Sequence, residues 1–138
     1  MSGGETKLEA LLTSMEPVLQ DGVYVFHSSD MAFEDAARLD PVLIFREAEG
    51  TALILRRETA ERAGLGFTYP ARMITLNVHS SLEAVGFLAA ITRALAAAGV
   101  SVNPVSAHFH DHLFVPEDKA DTAMRVLEGF ARSNSSLA

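Results

Sequence analysis

Two positions carry the same trio of hydroxyl and imidazole groups, His27-Ser28-Ser29 and His79-Ser80-Ser81, and a third cluster, His108-Phe109-His110-Asp111-His112, sets three imidazoles beside a carboxylate. On a continuous strand the three histidines would share one face and suit Zn, Ni or Cu. A hairpin about His110-Asp111-His112, with Asp111 in the turn, breaks that face, so metal ligation by His108, His110 and His112 is kept only as the weaker alternative. A catalytic set can be assembled from Ser80 or Ser81, His79 or His110, and Asp111. The chain nevertheless lacks a Gly-x-Ser-x-Gly elbow, a Walker loop, a His-Glu-x-x-His helix and a dinucleotide fingerprint. The expectation is a protein without catalysis and without a cofactor.

Each His-Ser-Ser ends a short apolar run that reads as a β-strand, Val23 to His27 and Met73 to His79. A second pair of blocks follows in the same order, Leu53 to Ala63 (LILRRETAERA) and Leu113 to Ala123 (LFVPEDKADTA). The leucines, Ala60 with Ala120, Ala63 with Ala123 and the acidic Glu58 with Asp118 coincide. Two related units in one polypeptide are therefore expected.

Composition bounds what such a pair can do. A chain of 138 residues has room for one ordinary domain or two very small halves. Its 49% apolar fraction suffices for a packed core. A formal charge of −7 opposes phosphate binding, so nucleic acid is not an expected partner. There is no cysteine, hence no disulfide, thiolate ligand or Cys nucleophile. The longest apolar stretch, Leu82 to Val100, is interrupted by Arg93, so no membrane segment is expected and the cytoplasm is the default compartment.

Periodicity then places the elements. Thr6 can cap a helix whose Leu8, Leu11, Leu12 and Met15 form one stripe, ended by Pro17 and the Asp21-Gly22 turn. Met31 to Leu39 reads as a short helix, Val42 to Arg46 and Thr51 to Leu55 as a hairpin turned at Gly50, and Glu58 to Ala63 as a brief helix stopped by Gly64. Ser80 and Glu83 stand at capping-box spacing, which starts the next helix at Ser81 and carries it to Ala98, before Gly99. Ser101 to Phe109 and Leu113 to Val115 make a second hairpin, and Pro116 opens a last helix with Ala120, Ala123, Met124, Leu127 and Phe130 on one side. The order in both halves predicts an α+β fold with helices on one face of antiparallel sheets. The halves are expected at 1–66, with the N-terminal helix in a degenerate first half, and at 67–132, with 133–138 a flexible polar tail.

From Arg72 to Phe130, strand MITLNVH, loop SSLEAVG, helix FLAAITRALAAAG, strand VSVNPVSAHF and the LFVP strand resemble an ACT domain, the small ligand-binding module of regulated enzymes of amino-acid metabolism. Gly86 sits where the family's loop glycine lies, with Val85 in place of the usual proline. The whole chain resembles small stand-alone bacterial proteins with two ACT-like halves, similar to the regulatory region of aspartate kinase. This implies a ferredoxin-like ACT fold and a regulatory protein that senses a small molecule, expected to be a free amino acid.

A helix N-terminus presents unpaired amides and about half a positive charge, which suits a carboxylate. The ligand carboxylate is therefore expected against the amides of Leu82, Glu83 and Ala84, helped by Ser80 or Ser81, on a loop completed by Val85 and Gly86, with the ammonium met by Glu83 or Asn103. By analogy with tandem ACT arrangements, His27, Ser28, Ser29 and Asp30 would form a second or complementary wall. The plainer reading is that Ser80 and Glu83 only cap the helix. The rival to a sensor is a structural or protein-interaction module without ligand, since exposed strand edges can pair across a homodimer.

Overall fold

A computed structural model describes residues 7–78 and 81–137. His79 and Ser80, the expected hydroxyl partner of the site, and the cap residue Thr6 lie outside the described residues. The chain divides into two compact units, Gly22 to Ala71 and a second made of the segment through Asp21 together with Arg72 onward. The N-terminal helix thus belongs with the second unit, whereas a linear reading puts it in the first half.

In the unit from Gly22 to Ala71, which follows β1 (Glu16–Leu19) in the chain, the element order is β2 (Tyr24–Ser29), α2 (Phe33–Ala37), β3 (Leu43–Glu47), β4 (Gly50–Arg56), α3 (Arg57–Arg62) and the opening residues of β5 (Thr68–Asn77). The central β4 pairs antiparallel with β3 on one side and β2 on the other. β2 in turn pairs with the start of β5, the register slipping between Tyr24 and Phe26. Val25, Leu53 and Leu55 share one face and close over Ala36 of α2 and Ala60 of α3. Thr51 Oγ1 donates to the Met31 carbonyl at 2.8 Å, which pins the loop before α2 to the sheet.

The other unit contains α1 (Leu8–Ser14), β1 (Glu16–Leu19), the remainder of β5, α4 (Phe87–Ala97), β6 (Asn103–Ser106), β7 (Asp111–Pro116), a 3-10 turn (Glu117–Lys119) and α5 (Ala120–Leu137). β5 lies between β1 and β7, and β7 carries β6. Ile74 and Leu76 of β5 with Leu113 and Val115 of β7 form the sheet side of a core completed by Leu11, Ile91, Leu95 and Leu127. Burying each such side chain stabilises the fold by about 1.5–3 kcal/mol.

Both units end a helix in the same way. Past α3, the amides of Gly64 and Leu65 donate to the carbonyls of Glu61 and Ala60 at 3.1 and 2.9 Å. Past α4, Gly99 and Val100 do so to Ala96 and Leu95, both at 3.0 Å. These are Schellman caps, and the glycines' φ values of 69° and 76° are those that lack of a Cβ makes cheap.

Four expectations change. β1 is a strand where only a helix end and a turn were expected; its Pro17 is tolerated because β1 pairs on one side alone, with β5. α4 starts at Phe87, not Ser81: Gly86, at φ 91°, occupies the N-cap, and the preceding segment turns instead of coiling. Asp111 and His112 are the first residues of β7, since Ser106 pairs with Asp111 and the turn takes Ala107 to His110. α5 runs to Leu137, through the segment read as a polar tail from Ser133.

Candidate functional site

The loop between β5 and α4 forms a turn in which the Ala84 amide donates to the Ser81 carbonyl and the Glu83 amide to Ser81 Oγ, both at 3.0 Å. Two of the three amides expected to receive a carboxylate are thereby already engaged. The helical ladder begins with Ala90 donating to Gly86 at 3.0 Å, so the amides of Phe87, Leu88 and Ala89 precede it and have no acceptor within the helix.

That helix start borders a cavity of about 190 Å³. Ser81, Leu82, Ala84, Phe87 and Leu88 line it from the loop and α4; Ser106, Ala107, His110 and Asp111 line it from the β6–β7 turn. Ser106 Oγ donates to Asp111 Oδ1 at 2.5 Å, which orients the carboxylate and leaves Oδ2 for another donor. The start of α4, two hydroxyls, an imidazole, a carboxylate and an apolar wall thus border one cavity. Such an arrangement can hold a small zwitterion by its two charged groups and exclude water from its carbon skeleton.

The expected residues divide accordingly. Ser81, Leu82 and Ala84 are at the cavity, although Leu82 is 70% exposed. Glu83 is exposed and does not line it; Val85 is 85% exposed; Gly86 acts through the backbone as the cap. Asn103 begins β6 opposite Phe114, at the far end of the strand from Ser106, so it is not brought to the loop. Ser106, His110 and Asp111 were not assigned to a ligand site by sequence. Their signal was the hairpin itself, and placing Asp111 in its turn hid that its side chain joins Ser106.

The His-rich segment separates. His108 stacks edge-on against Phe109, while the rings of His110 and His112 are 6.3 Å apart. His112 lies on the other face of β7 from the buried Leu113, where its Nδ1 is 3.0 Å from Thr75 Oγ1. Thr75 accepts from Gln20 Nε2 at 2.9 Å, so its hydroxyl hydrogen is available to an unprotonated Nδ1. Burial, reinforced by His110 and opposed by Asp111, lowers the His112 pKa. Among the described residues no three His, Asp or Glu side chains converge as metal ligands.

In the other unit, His27 Nδ1 donates to the Gly66 carbonyl at 2.6 Å, leaving Nε2 buried without a partner. Ser29 Oγ accepts from the Met31 amide at 3.3 Å, and Asp30 is exposed. His27 and Ser28, but not Ser29 or Asp30, border a cavity of about 450 Å³ on the sheet. The first His-Ser-Ser leads into α2, a helix of only five residues, so this cavity has no long helix start beside it.

Two ferredoxin-like α+β halves, each with antiparallel strands and helices packed on the sheet, define the class. Models of the ACT domain match residues 3–72 and 68–129, and the chain belongs to that family, with two domains in tandem. It is 45% identical to a Vibrio cholerae protein of unknown function, described as a possible transport protein, over 90% of this chain and 95% of that one, with a TM-score of 0.84. An Agrobacterium tumefaciens protein shares the fold at 16% identity and a TM-score of 0.70, covering 85% and 89% of the two chains. The ligand-free regulatory subunit of aspartate kinase from Thermus thermophilus shares it at 12% identity and 0.64, covering 86% and 97%. No curated protein matches the sequence. Among the described residues no helix is long and apolar enough to cross a membrane.

Proposed function

We propose that the protein is a non-catalytic regulatory sensor that binds a small free amino acid in the cavity between the β5–α4 loop and the β6–β7 turn. The observation that carries this reading is the pairing, around one cavity, of the α4 start with the Ser106-bonded carboxylate of Asp111. The ligand carboxylate would accept from the amides of Phe87 and Leu88, assisted by Ser81, and its ammonium would donate to Asp111. A volume of about 190 Å³ is smaller than the roughly 300 Å³ at which drug-sized sites begin, so a compact side chain is favoured. Binding would act on a responder by its difference in affinity between two states of the protein, with no chemical step.

A thermal-shift panel of the common amino acids tests this. A one-site ligand at 100 times its Kd adds about 2.7 kcal/mol, a shift such a scan registers. A panel without any response, or a response undiminished in Asp111→Asn, rejects the site. The alternative of an interaction module without ligand draws on the exposed Leu82, Val85 and Phe109 and is favoured by a silent panel.

A further inference from the structure

The larger cavity, in the unit from Gly22 to Ala71, has a cause that the strand register makes plain. Directly opposed residues form rows across β2, β4 and β3: Phe26, Ile54 and Leu43 in one, Ser28, Ala52 and Phe45 in the next. Directly opposed residues share a face. The following row ends with Gly50 opposite Glu47. Phe26, Leu43, Phe45 and Glu47 therefore stand on the outer strands while β4, beyond Ile54, contributes only Ala52 and Gly50, and the face is hollowed there. It is the face opposite Val25, Leu53 and Leu55, so neither α2 nor α3 covers it. Phe45 is 62% exposed beside the 4% exposed Ile54. The trough of about 450 Å³ falls within the size range of small-molecule sites.

Its polar lining is His27, Ser28, Thr68 and Glu47, with the His27 ring tied through Nδ1 to the Gly66 carbonyl, and no Lys or Arg lines it. The neighbouring Arg46 does not neutralise Glu47 from this side, for its guanidinium lies 4.1 Å from the centroid of the Phe33 ring in α2. An apolar trough with one carboxylate at its edge, on a chain of net charge −7, is complementary to an apolar body bearing a positive charge. A second copy of the same face is a poorer match. In a two-fold interface each group meets a group of the same patch; no Lys or Arg lines the trough, and Arg56, one row beyond Phe26 on this face, has its guanidinium 5.2 Å from the centroid of the Tyr24 ring.

We propose that the trough over Ala52 is a second binding site, distinct from the amino-acid cavity, for a small amphiphile with a cationic amine head. The apolar chain lies on Phe26, Leu43, Phe45 and Ile54, and the ammonium sits beside Glu47.

Amide NMR titrations with octylammonium and with octanoate, both below their micellar concentrations at neutral pH, test it. Octylammonium is expected to move the amides of Phe26, Ala52 and Phe45 and to bind about fivefold or more tighter than octanoate, the contrast that one exposed carboxylate supplies. Glu47→Gln should narrow the contrast, and Ala52→Leu, which fills the trough, should abolish binding of both probes. Should Ala52→Leu fail to fold by its amide spectrum, Phe45→Ala, at an exposed position, is expected to weaken both. Equal binding of the two probes by the unmodified protein overturns the proposal, as does binding untouched by the trough variants. A dimer in sedimentation that Phe45→Ala dissolves would show that a second copy occupies the face instead.

Discussion

The two units repeat an order of strands, hairpin and helix, yet differ in what their helices can do. Among the described residues, the unit from Gly22 to Ala71 buries a cluster of five side chains under helices of five and six residues. The other buries thirteen under α4 and α5, of eleven and eighteen residues. A long helix accumulates a macrodipole and presents a row of amides; a helix of one turn and a half offers little of either. The same fold has thus produced a polar cavity at a helix start in one unit and an apolar trough on a sheet in the other. The differences between the copies, more than the repeat, set where each cavity lies.

The largest expected effect tests the cores. Leu95→Ala in α4 and Leu55→Ala in β4 each delete a fully buried side chain and should each cost about 2–5 kcal/mol in urea denaturation. A cost for Leu55 below the range would mean that the smaller core collapses around the gap. Next comes the polar cavity. Asp111→Asn is expected to lower affinity for the amino acid found in the panel by about 10- to 150-fold, the equivalent of about 1.5–3 kcal/mol for a hydrogen bond to a charged group. Calorimetry reads it, and Glu47→Gln in the other unit should leave that affinity unchanged.

The helix caps give a matched pair. Nothing lies within 4 Å of a Cβ added at Gly64 or at Gly99. Alanine at either therefore costs only the strain of a positive φ, roughly 1–2 kcal/mol. Equal losses in urea denaturation are expected, and a much larger loss at one position would reveal a crowded cap there. The smallest effect is the pH dependence of His112. Its folded pKa lies below the unfolded value of about 6.5, so the unfolded chain binds the proton more readily in the interval between them. Stability should therefore fall as pH drops below about 6.5 and level off below the folded pKa. His112→Gln should flatten that part of a melting-temperature profile, and an unchanged slope would mean that another group carries it.

How far the sequence could be read depends on the range of the forces involved. The hairpin at Gly50, the α3 and α4 ends at Gly64 and Gly99, and the helix after Pro116 were legible because glycine and proline act on their own backbone and immediate neighbours. The start of α4 was misplaced for a related reason. Ser80 and Glu83 have the spacing of a capping box, but Gly86 takes the cap and Ser81 closes a turn on Glu83 and Ala84. Two local signals competed, and spacing alone does not rank them.

What the residues determined unaided was the duplicated order of elements, the apolar stripes and the resemblance to an ACT domain, since each is written in periodicity or in turn chemistry within a few positions. Tertiary structure alone decided that Glu16 to Leu19 is a strand, because its hydrogen-bond partners are more than fifty residues away in β5. It alone decided that Asp111 meets Ser106 beside the start of α4, and that Ala52 lies in a trough between larger neighbours. Strand register and cavity shape arise from pairing between distant segments, and no window of sequence contains both partners.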